Sequence, residues 1–426
     1  MSALDTRPGP APRAGSRHGH GSRPRPPSRP IALNLLVLAN AVSMTGNVVM
    51  TVAVPWLVLT RTGSAAIAGT AVFAGVASAT VGGLAAGRVV DAIGPVRVSS
   101  VADLLSGLAV APLPLLLALD ALEIWQVVVS TVIGTLADAA GSAARQSLTP
   151  AAADAGGYRR ERANALFTSA EHVGYLLGAP AAGLLIAAFG VGPALSVTVA
   201  LFVVAGLVVL GLADLAVGRD ATAAVPTAGL RETLAFIWGD PALRALVVFP
   251  TTAVLLVGPL APLVLPVLAR VVFDDVAVLG VMVAGYGAGG LLGAVGYGLV
   301  GSRVTRRALY LGIFVVWPCA YAAILLIPYL PVTLVMLVTL GAAAGTLVPL
   351  QATVRQERSP ARLLPRIVGL STASIPVAVP TGVLVTGFLI DGLGLGRTSL
   401  LLTTAAVLVS AGVLTSPWTR HLDAAE

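Results

Sequence analysis

Residues 87–97 read G-R-V-V-D-A-I-G-P-V-R, and this short polar segment carries Arg88, Asp91 and Arg97 between two long apolar runs. The hydrocarbon of a bilayer holds no water to solvate such charges, so the segment must lie where both runs leave the lipid on the same side. It therefore predicts an interfacial loop that joins two transmembrane helices.

The composition of the whole chain is typical of a membrane protein. Of its 426 residues, 57% are hydrophobic and only 11% are charged, and the mean hydropathy is +0.92. So few polar side chains cannot cover a soluble globule of this size. The net charge of +7 comes from arginines spread over many short segments without interleaved aromatic residues, which argues against a nucleic-acid partner. The partner that composition predicts is the lipid bilayer.

Apolar stretches of about 20 residues, the length needed to cross roughly 30 Å of hydrocarbon, recur along the chain. They fall near residues 31–59, 65–86, 98–119, 122–144, 164–189, 193–213, 243–269, 276–300, 308–328, 331–353, 366–390 and 398–416. The sequence therefore predicts an all-α polytopic membrane protein with twelve transmembrane helices.

The arginines indicate how these helices are oriented. All but three of the 26 basic residues fall in or next to the terminal segments and the loops of one side, and the exceptions are Arg61, Arg270 and Arg397. Basic residues accumulate on the cytoplasmic side, and an even number of spans places both ends of the chain on one side. We expect a protein integral to the plasma (inner) membrane with both termini in the cytoplasm.

A polar segment in the middle of the chain divides the spans six and six. The predicted order is a disordered cytoplasmic tail at 1–30, a six-helix bundle at 31–213, a cytoplasmic linker at 214–242, a second six-helix bundle at 243–416 and a cytoplasmic tail at 417–426. Within the linker, the apolar residues of 230–238 share one helical face, which predicts an amphipathic helix on the membrane surface.

The two bundles repeat each other weakly, which predicts pseudo-symmetric halves. Three glycines of the first half recur at one fixed offset in the second: Gly183, Gly190 and Gly192 correspond to Gly387, Gly394 and Gly396. Residues 298–307 likewise match 87–97 in frame, with Ser302 in place of the aspartate and Thr305 in place of the second glycine. Duplicated halves are how many transporters build a binding site near mid-membrane and rock around it. The repeat favours a transporter over an intramembrane enzyme.

The spacing Gly-x3-Asp-x2-Gly-x2-Arg of Gly87, Asp91, Gly94 and Arg97 resembles the signature loop of the major facilitator superfamily of secondary transporters. The resemblance extends over residues 31–416. It implies two six-helix bundles that work by alternating access, without enzymatic activity and without a cofactor.

The resemblance also implies a gating role for this loop. In the family the loop aspartate holds the two halves together on the cytoplasmic side by meeting helix ends and arginines. For Asp91 the natural partner is Arg145, so conformational gating is expected of Gly87, Asp91, Gly94, Arg97 and Arg145.

Two further stretches narrow the resemblance to exporters. Residues 53–64, A-V-P-W-L-V-L-T-R-T-G-S, and residues 164–166, N-A-L, are similar to the branch that includes macrolide efflux proteins and siderophore exporters. The fifth predicted span carries a motif similar to the glycine-proline motif of drug/proton antiporters. It consists of Gly174, Gly178, Pro180 and Gly183, with an intervening alanine before the proline.

Three acids inside the predicted spans are candidates for proton coupling: Asp103, Asp138 and Glu171. Carboxylates are costly in a membrane, and one buried carboxyl group is enough to load and release a proton. Glu171 is the deepest of the three and has no arginine within one turn, which favours a coupling role. Asp138 has two open interpretations, proton coupling or a structural ion pair with Arg145. Asp103 lies close to the headgroups, so we expect it to be solvated or to cap a helix.

A polar stripe in the first span marks a candidate substrate path. Asn40, Ser43, Asn47 and Thr51 recur at helical spacing on one face of an apolar helix. That face either lines the central cavity or packs against another helix through its polar side chains. With few charges and many aliphatic walls, the cavity suits a bulky, mostly apolar small molecule.

These observations predict a proton-driven exporter of hydrophobic or amphiphilic small molecules, with a siderophore or another specific metabolite as the alternative solute. A membrane sensor or a lipid-modifying enzyme is the alternative from a different class. The sequence contains no H-E-x-x-H, nucleophile elbow or phosphate-binding loop. We therefore expect no catalytic residues, no metal site and no cofactor beyond the coupling ion, and we expect a monomer.

Overall fold

The computed structural model describes residues 31–212, 230–301, 303–327, 329–360, 363–372 and 375–423. Within these ranges every regular element is a helix. The predicted tail at 1–30 and residues 214–229 of the predicted linker lie outside the described residues.

The first half of the chain forms helices α1 to α6. Their bounds are Ile31–Thr62 (α1), Ala65–Ile93 (α2), Pro95–Val110 continuing after Ala111 into Pro112–Ala118 (α3), Ile124–Gly156 (α4), Arg160–Phe189 (α5) and Val191–Leu210 (α6).

A linker helix, α7, precedes the helices of the second half, and a short 3₁₀ helix follows them. The bounds are Leu230–Gly239 (α7), Pro241–Phe273 (α8), Val276–Val300 (α9), Arg306–Leu326 (α10), Leu330–Arg358 (α11), Leu364–Thr372 (α12), Ile375–Leu393 (α13), Leu395–Thr415 (α14) and Pro417–His421 for the 3₁₀ helix.

In the described part of the chain, eleven helical stretches are long and apolar enough to cross a membrane, and α12 and α13 together supply one of them. The helix α5 adds a shorter apolar segment, Leu176–Phe189. With it, the helices follow the twelve predicted spans in order. The all-α polytopic fold is confirmed.

Successive helices run in opposite directions, so their connections lie on two opposite faces. We call the face with the connections near residues 63, 120, 190, 274, 327 and 394 the arginine-poor face. The opposite face, with the connections near residues 94, 158, 240, 304 and 359, is the arginine-rich face.

The charged segment 87–97 is more helical than the sequence suggests. The helix α2 continues to Ile93 and α3 begins at Pro95, so Gly94 alone breaks the helical path. Gly94 has a φ of +86°, which a side chain would strain, and its N–H closes α2 on the carbonyl of Val90. Pro95 then starts α3 with its preset φ. The predicted loop is therefore a one-residue corner between two helices.

Within the predicted linker, Leu230–Gly239 form the helix α7. Its Ile237 packs with Leu243, Leu363 and Ile367 of the second half. Trp238 of the same helix is exposed. One apolar residue of the predicted face thus anchors α7 to the second half, and another is left at the surface.

The two halves contact each other mainly through two helix pairs, α2 with α13 and α5 with α9. Each pair joins the second transmembrane helix of one half to the fifth of the other, so exchanging the halves converts one pair into the other. Glycines permit the close approach: a Cβ on Gly280 would lie 2.5 Å from the carbonyl oxygen of Ala179, and one on Gly387 would lie 2.8 Å from that of Ala65.

These contacts lie towards the arginine-poor face. There, residues 54–59 of α1 and 260–269 of α8 also belong to one buried hydrophobic cluster. At the other face Asp91 is exposed, and the space around Gly87 and Gly94 is open. In this structure the halves are joined at the arginine-poor face.

Candidate functional site

An ion pair lies buried among the helices of the first half. Arg145 of α4 donates from Nη1 to both carboxylate oxygens of Asp103 of α3, at 2.8 Å and 2.7 Å. The Arg145 side chain is 2% exposed and the Asp103 side chain is 0% exposed. Two opposite charges this far from water are stable only because they are paired and hydrogen-bonded.

Polar groups of α1 complete the surroundings of this pair. Arg145 donates from Nη2 to the hydroxyl of Ser43 at 3.0 Å and from Nε to Oδ1 of Asn40 at 3.3 Å. The Ser43 hydroxyl in turn donates to Asp103 at 2.9 Å. One arginine therefore ties three helices of the first half together. We call Arg145, Asp103, Ser43, Asn40 and Asp138 the buried charge cluster.

Asp138 is the member of the cluster that reaches open space. Its Oδ1 accepts from Nη2 of Arg145 at 3.4 Å, a longer contact than those of Asp103, and its side chain is 19% exposed. It lies in the wall of a cavity of about 370 Å³. Asp138 thus connects the ion pair to the cavity.

The cavity is formed mainly by α1, α2 and α4, and α8 of the second half contributes Pro262. Most of its wall is aliphatic or aromatic, as at Met44, Val72 and Phe202. Asp138 is its single charged wall residue among the described residues. Such a space excludes strongly hydrated solutes and offers one ionisable group.

The predicted polar stripe of α1 divides between the two interpretations left open by the sequence. Asn47 and Thr51 line the cavity. Asn40 and Ser43 instead bind Arg145 inside the bundle. The stripe runs from the buried charge cluster to the cavity, so one helical face both packs against other helices and lines the cavity.

Two expectations from the sequence are wrong in this structure. Asp103 neither caps a helix nor meets solvent, because α1 and α4 cover it although it is near the start of α3. Arg145 does not bind Asp91, because its guanidinium is already occupied by Asp103 and Asp138. The ion pair between Asp138 and Arg145 is present, alongside the stronger one with Asp103.

The side chain of Glu171 lies outside the described residues, so its role stays a prediction. The glycine-proline motif on α5 is described in part. A Cβ on Gly174 would approach Met44 of α1, and one on Gly178 would approach Val48 of the same helix. Gly183 instead faces α9 of the second half. The motif lets α5 pack closely on its own half and on the opposite half.

Sequence reasoning missed Asp391, the last acid of α13. Its carboxylate accepts from the backbone N–H groups of Ala65 at 2.8 Å and Ala66 at 3.2 Å, and from the hydroxyl of Ser64. It therefore caps the N-terminus of α2 across the boundary between the halves, where a negative charge is favoured. Ser64 is recognisable in the sequence as a helix cap, but nothing there indicates a partner so distant along the chain.

Comparison with known proteins agrees with this architecture. Residues 36–274 match the family described as the Major Facilitator Superfamily. The chain is 32% identical over 401 residues to the multidrug efflux pump Tap of Mycolicibacterium fortuitum, and the match covers 92% of this chain and 97% of the pump.

Solved structures share the fold at low sequence identity. The nucleoside transporter NupG is similar with a TM-score of 0.71 and 12% identity, over 90% of this chain and 98% of that one. A bacterial homolog of the human lysosomal transporter Spinster is similar with a TM-score of 0.66 and 16% identity, over 95% and 96% of the two chains. With the family match across more than half of the sequence, these findings show that the chain belongs to the Major Facilitator Superfamily.

Proposed function

We propose that the protein is a proton-coupled exporter of hydrophobic or amphiphilic small molecules that works by alternating access. It lies in the inner membrane with both termini in the cytoplasm, so its arginine-rich face is the cytoplasmic one. The similarity to a multidrug efflux pump over nearly the whole chain supports export. The largely apolar wall of the cavity supports the class of solute.

The observation that carries proton coupling is the imbalance of charge in the buried charge cluster. Two carboxylates, Asp103 and Asp138, share one guanidinium, that of Arg145. Asp103 is fully enclosed and bound through both oxygens, whereas Asp138 makes one longer contact and reaches the cavity. Asp138 therefore binds the proton, and the Arg145–Asp103 pair holds the guanidinium beside it.

The contacts between the halves correspond to one state of the transport cycle. The arginine-poor face is closed by the helix pairs described above, and the cap from Asp391 to α2 belongs to this closure. When the cycle reverses, the arginine-rich face closes around Gly87, Asp91, Gly94 and Arg97. Asp91 then meets a helix end of the second half.

The function is tested in cells that lack their own pumps. Expression of the protein is expected to lower accumulation of a lipophilic dye, and a protonophore is expected to remove the difference. Accumulation that stays unchanged for every solute tried argues against an exporter. A difference that survives the protonophore but vanishes without sodium argues against the proton.

The coupling residue is tested by replacing Asp138 with Asn, which removes the charge and keeps the size. The expected result is that Asp138→Asn vesicles lose uphill transport but still exchange dye down its gradient, because the cavity is intact. Asp120→Asn is the control, since this acid is exposed at the arginine-poor face and pairs with Arg61. If Asp138→Asn still transports uphill and Glu171→Gln does not, the coupling residue is Glu171 and not Asp138.

A further inference from the structure

A second arginine is buried near the end of α11, in the half that has no buried ion pair among its described residues. Arg355 is 7% exposed, and its Nε donates to the backbone carbonyl of Gln351 at 3.1 Å. Among the described residues no carboxylate lies within salt-bridge distance of Arg355. By contrast Arg358, less than one turn further along, pairs with Asp240.

The Arg355 side chain points towards the interior of the membrane. Because α11 runs from the arginine-poor to the arginine-rich face, Gln351 lies one turn deeper than Arg355. A hydrogen bond to the carbonyl of Gln351 therefore bends the guanidinium inward. Arginines near a helix end normally extend outward, so that the charge reaches water while the stem covers apolar surface. The stem of Arg355 instead folds back along α11, and its Nη1 and Nη2 atoms are not among the fully enclosed ones, so a ligand can reach them.

An isolated buried cation is unfavourable unless something compensates it. The C-terminal end of α11 attracts positive charge, but this effect is small compared with the desolvation of a guanidinium. Only one of the five N–H donors of Arg355 has a hydrogen bond within the described part of the chain. The remaining donors are suited to an anionic oxygen, which arginine binds through two parallel hydrogen bonds.

A cavity of about 190 Å³ starts at the same turn of α11. Gln351, whose carbonyl holds Arg355, is one of its wall residues, and the rings of Phe314, Trp317 and Tyr286 form another part of the wall. The described wall carries no charged side chain. The cavity therefore offers an apolar, partly aromatic space one helical turn from Arg355, which is not itself a wall residue but binds the carbonyl of one.

We infer that Arg355 and this cavity form a binding site for an amphiphilic anion. The carboxylate or phosphate oxygens of the ligand bind the guanidinium of Arg355, and its apolar part enters the space beside Trp317. A free amphiphile and an anionic phospholipid present the same chemistry. The site goes beyond the transport cycle proposed above, and binding to it is measurable without transport.

The test uses the full-length protein in nanodiscs of neutral lipid and a fatty carboxylate that carries bromine on its chain. Bromine quenches indole fluorescence at short range, so binding beside Trp317 is expected to give saturable quenching. In Trp317→Phe the saturable part disappears, which assigns the signal among the five tryptophans of the chain. The methyl ester of the same acid, which has no charge, gives no saturable quenching.

The arginine is tested by Arg355→Gln, which keeps hydrogen-bonding capacity and removes the charge. We expect the apparent affinity for the bromo acid to fall by about tenfold or more, as for loss of a charge-assisted bidentate contact. Arg420→Gln is the matched control, because it removes the same charge from an exposed position on the same face. An unchanged thermal melting curve for Arg355→Gln shows that the protein is folded.

The source of the anion is distinguished by adding anionic phospholipid to the nanodiscs. Loss of quenching by the bromo acid identifies a lipid headgroup as the competing ligand, and retained quenching identifies a free amphiphile. Both results agree with an anion site. The inference is overturned if Arg355→Gln binds the acid as tightly as the unmodified protein, or if the ester is bound as well as the acid.

Discussion

The third transmembrane helices of the two halves occupy corresponding places but carry opposite chemistry. When 87–97 is aligned with 298–307, Asp103 of α3 falls on Phe314 of α10, and Ser99 falls on Tyr310. In the first half, Asp103 is part of a buried ion pair. In the second half, the same position belongs to a row of aromatic rings.

That aromatic row consists of Tyr310, Phe314, Trp317 and Tyr321, whose successive ring centroids lie 5.0 Å, 5.9 Å and 6.5 Å apart. Its two tyrosine hydroxyls donate to backbone carbonyls of α8, Tyr310 to Ala245 and Tyr321 to Leu256, each at 2.8 Å. They join the third helix of the second half to its first. Ser43 and Asp103 do the same in the first half.

The difference between the two third helices indicates that the buried ion pair of the first half has a purpose other than stability. Neutral aromatic contacts and two hydroxyl hydrogen bonds are enough to hold the third helix against the first. A buried ion pair is not needed for that purpose, because its desolvation cost offsets most of its attraction. Among the described residues a buried ion pair occurs in only one of the two related bundles, and it is therefore best explained by a task such as binding a proton.

Replacing Arg145 with Leu has the largest expected effect. It leaves Asp103 buried with Ser43 as its one remaining partner, at a cost of about 3–5 kcal/mol in the free energy of unfolding. Unfolding of the purified protein, followed by intrinsic fluorescence, measures this loss. Arg270→Leu is the control, because Arg270 is exposed at the arginine-poor face and its ion pair in the described structure is with the nearby Asp274.

The double variant Asp103→Leu with Arg145→Leu separates stability from function. It makes the first half resemble the second, and we expect it to regain most of the stability that Arg145→Leu loses. Uphill dye transport should nevertheless remain absent. A double variant that is stable and still pumps would show that Asp103 and Arg145 have no role in coupling, and the contrast between the halves would lose its functional meaning.

Asp391→Asn has an intermediate expected effect, since the second half uses this acid to hold the first. Loss of the charged cap on α2 weakens closure of the arginine-poor face by about 1 kcal/mol, roughly a fivefold change in the equilibrium between the two states. Spin labels at Thr62→Cys and Arg397→Cys, with Cys319→Ala to remove the native thiol, report the distance across this face.

In the Asp391→Asn protein, the population with the longer distance should increase. Asp274→Asn provides the comparison, because that acid is exposed at the same face and, among the described residues, pairs with the nearby Arg270. Equal distance distributions in all three proteins would mean that the cap contributes nothing to closure.

The spans and the family were predictable because they depend on local properties of the chain. Hydropathy over about 20 residues identifies a transmembrane helix, and the pattern of 87–97 is specific to one superfamily. The exact corner at Gly94 was not predictable. A helix that continues beyond the lipid is polar, so its sequence looks like a loop.

The candidate site was only partly predictable because its contacts join distant parts of the chain. The stripe on α1, Asp138 and Arg145 were recognisable as polar residues in apolar helices. That Arg145 binds Asp103 rather than Asp91 depends on how α3 packs against α4 and α6, which helical periodicity does not specify. Asp391 was missed for the same reason, since its partners are on the other half.

Tyr310→Phe and Tyr321→Phe have the smallest expected effects and test the second half directly. Each removes one neutral hydrogen bond to α8 and keeps the ring, so the free energy of unfolding should fall by about 1 kcal/mol while uphill transport continues. Tyr329→Phe, at an exposed position, should change neither quantity. Loss of transport in Tyr321→Phe without a matching loss of stability would mean that the aromatic row takes part in the transport cycle. The division into a half that works through a buried ion pair and a half held together by neutral contacts would then be wrong. Uncharged hydroxyl groups would take part in transport in one bundle, as the arginine and its two acids are proposed to do in the other.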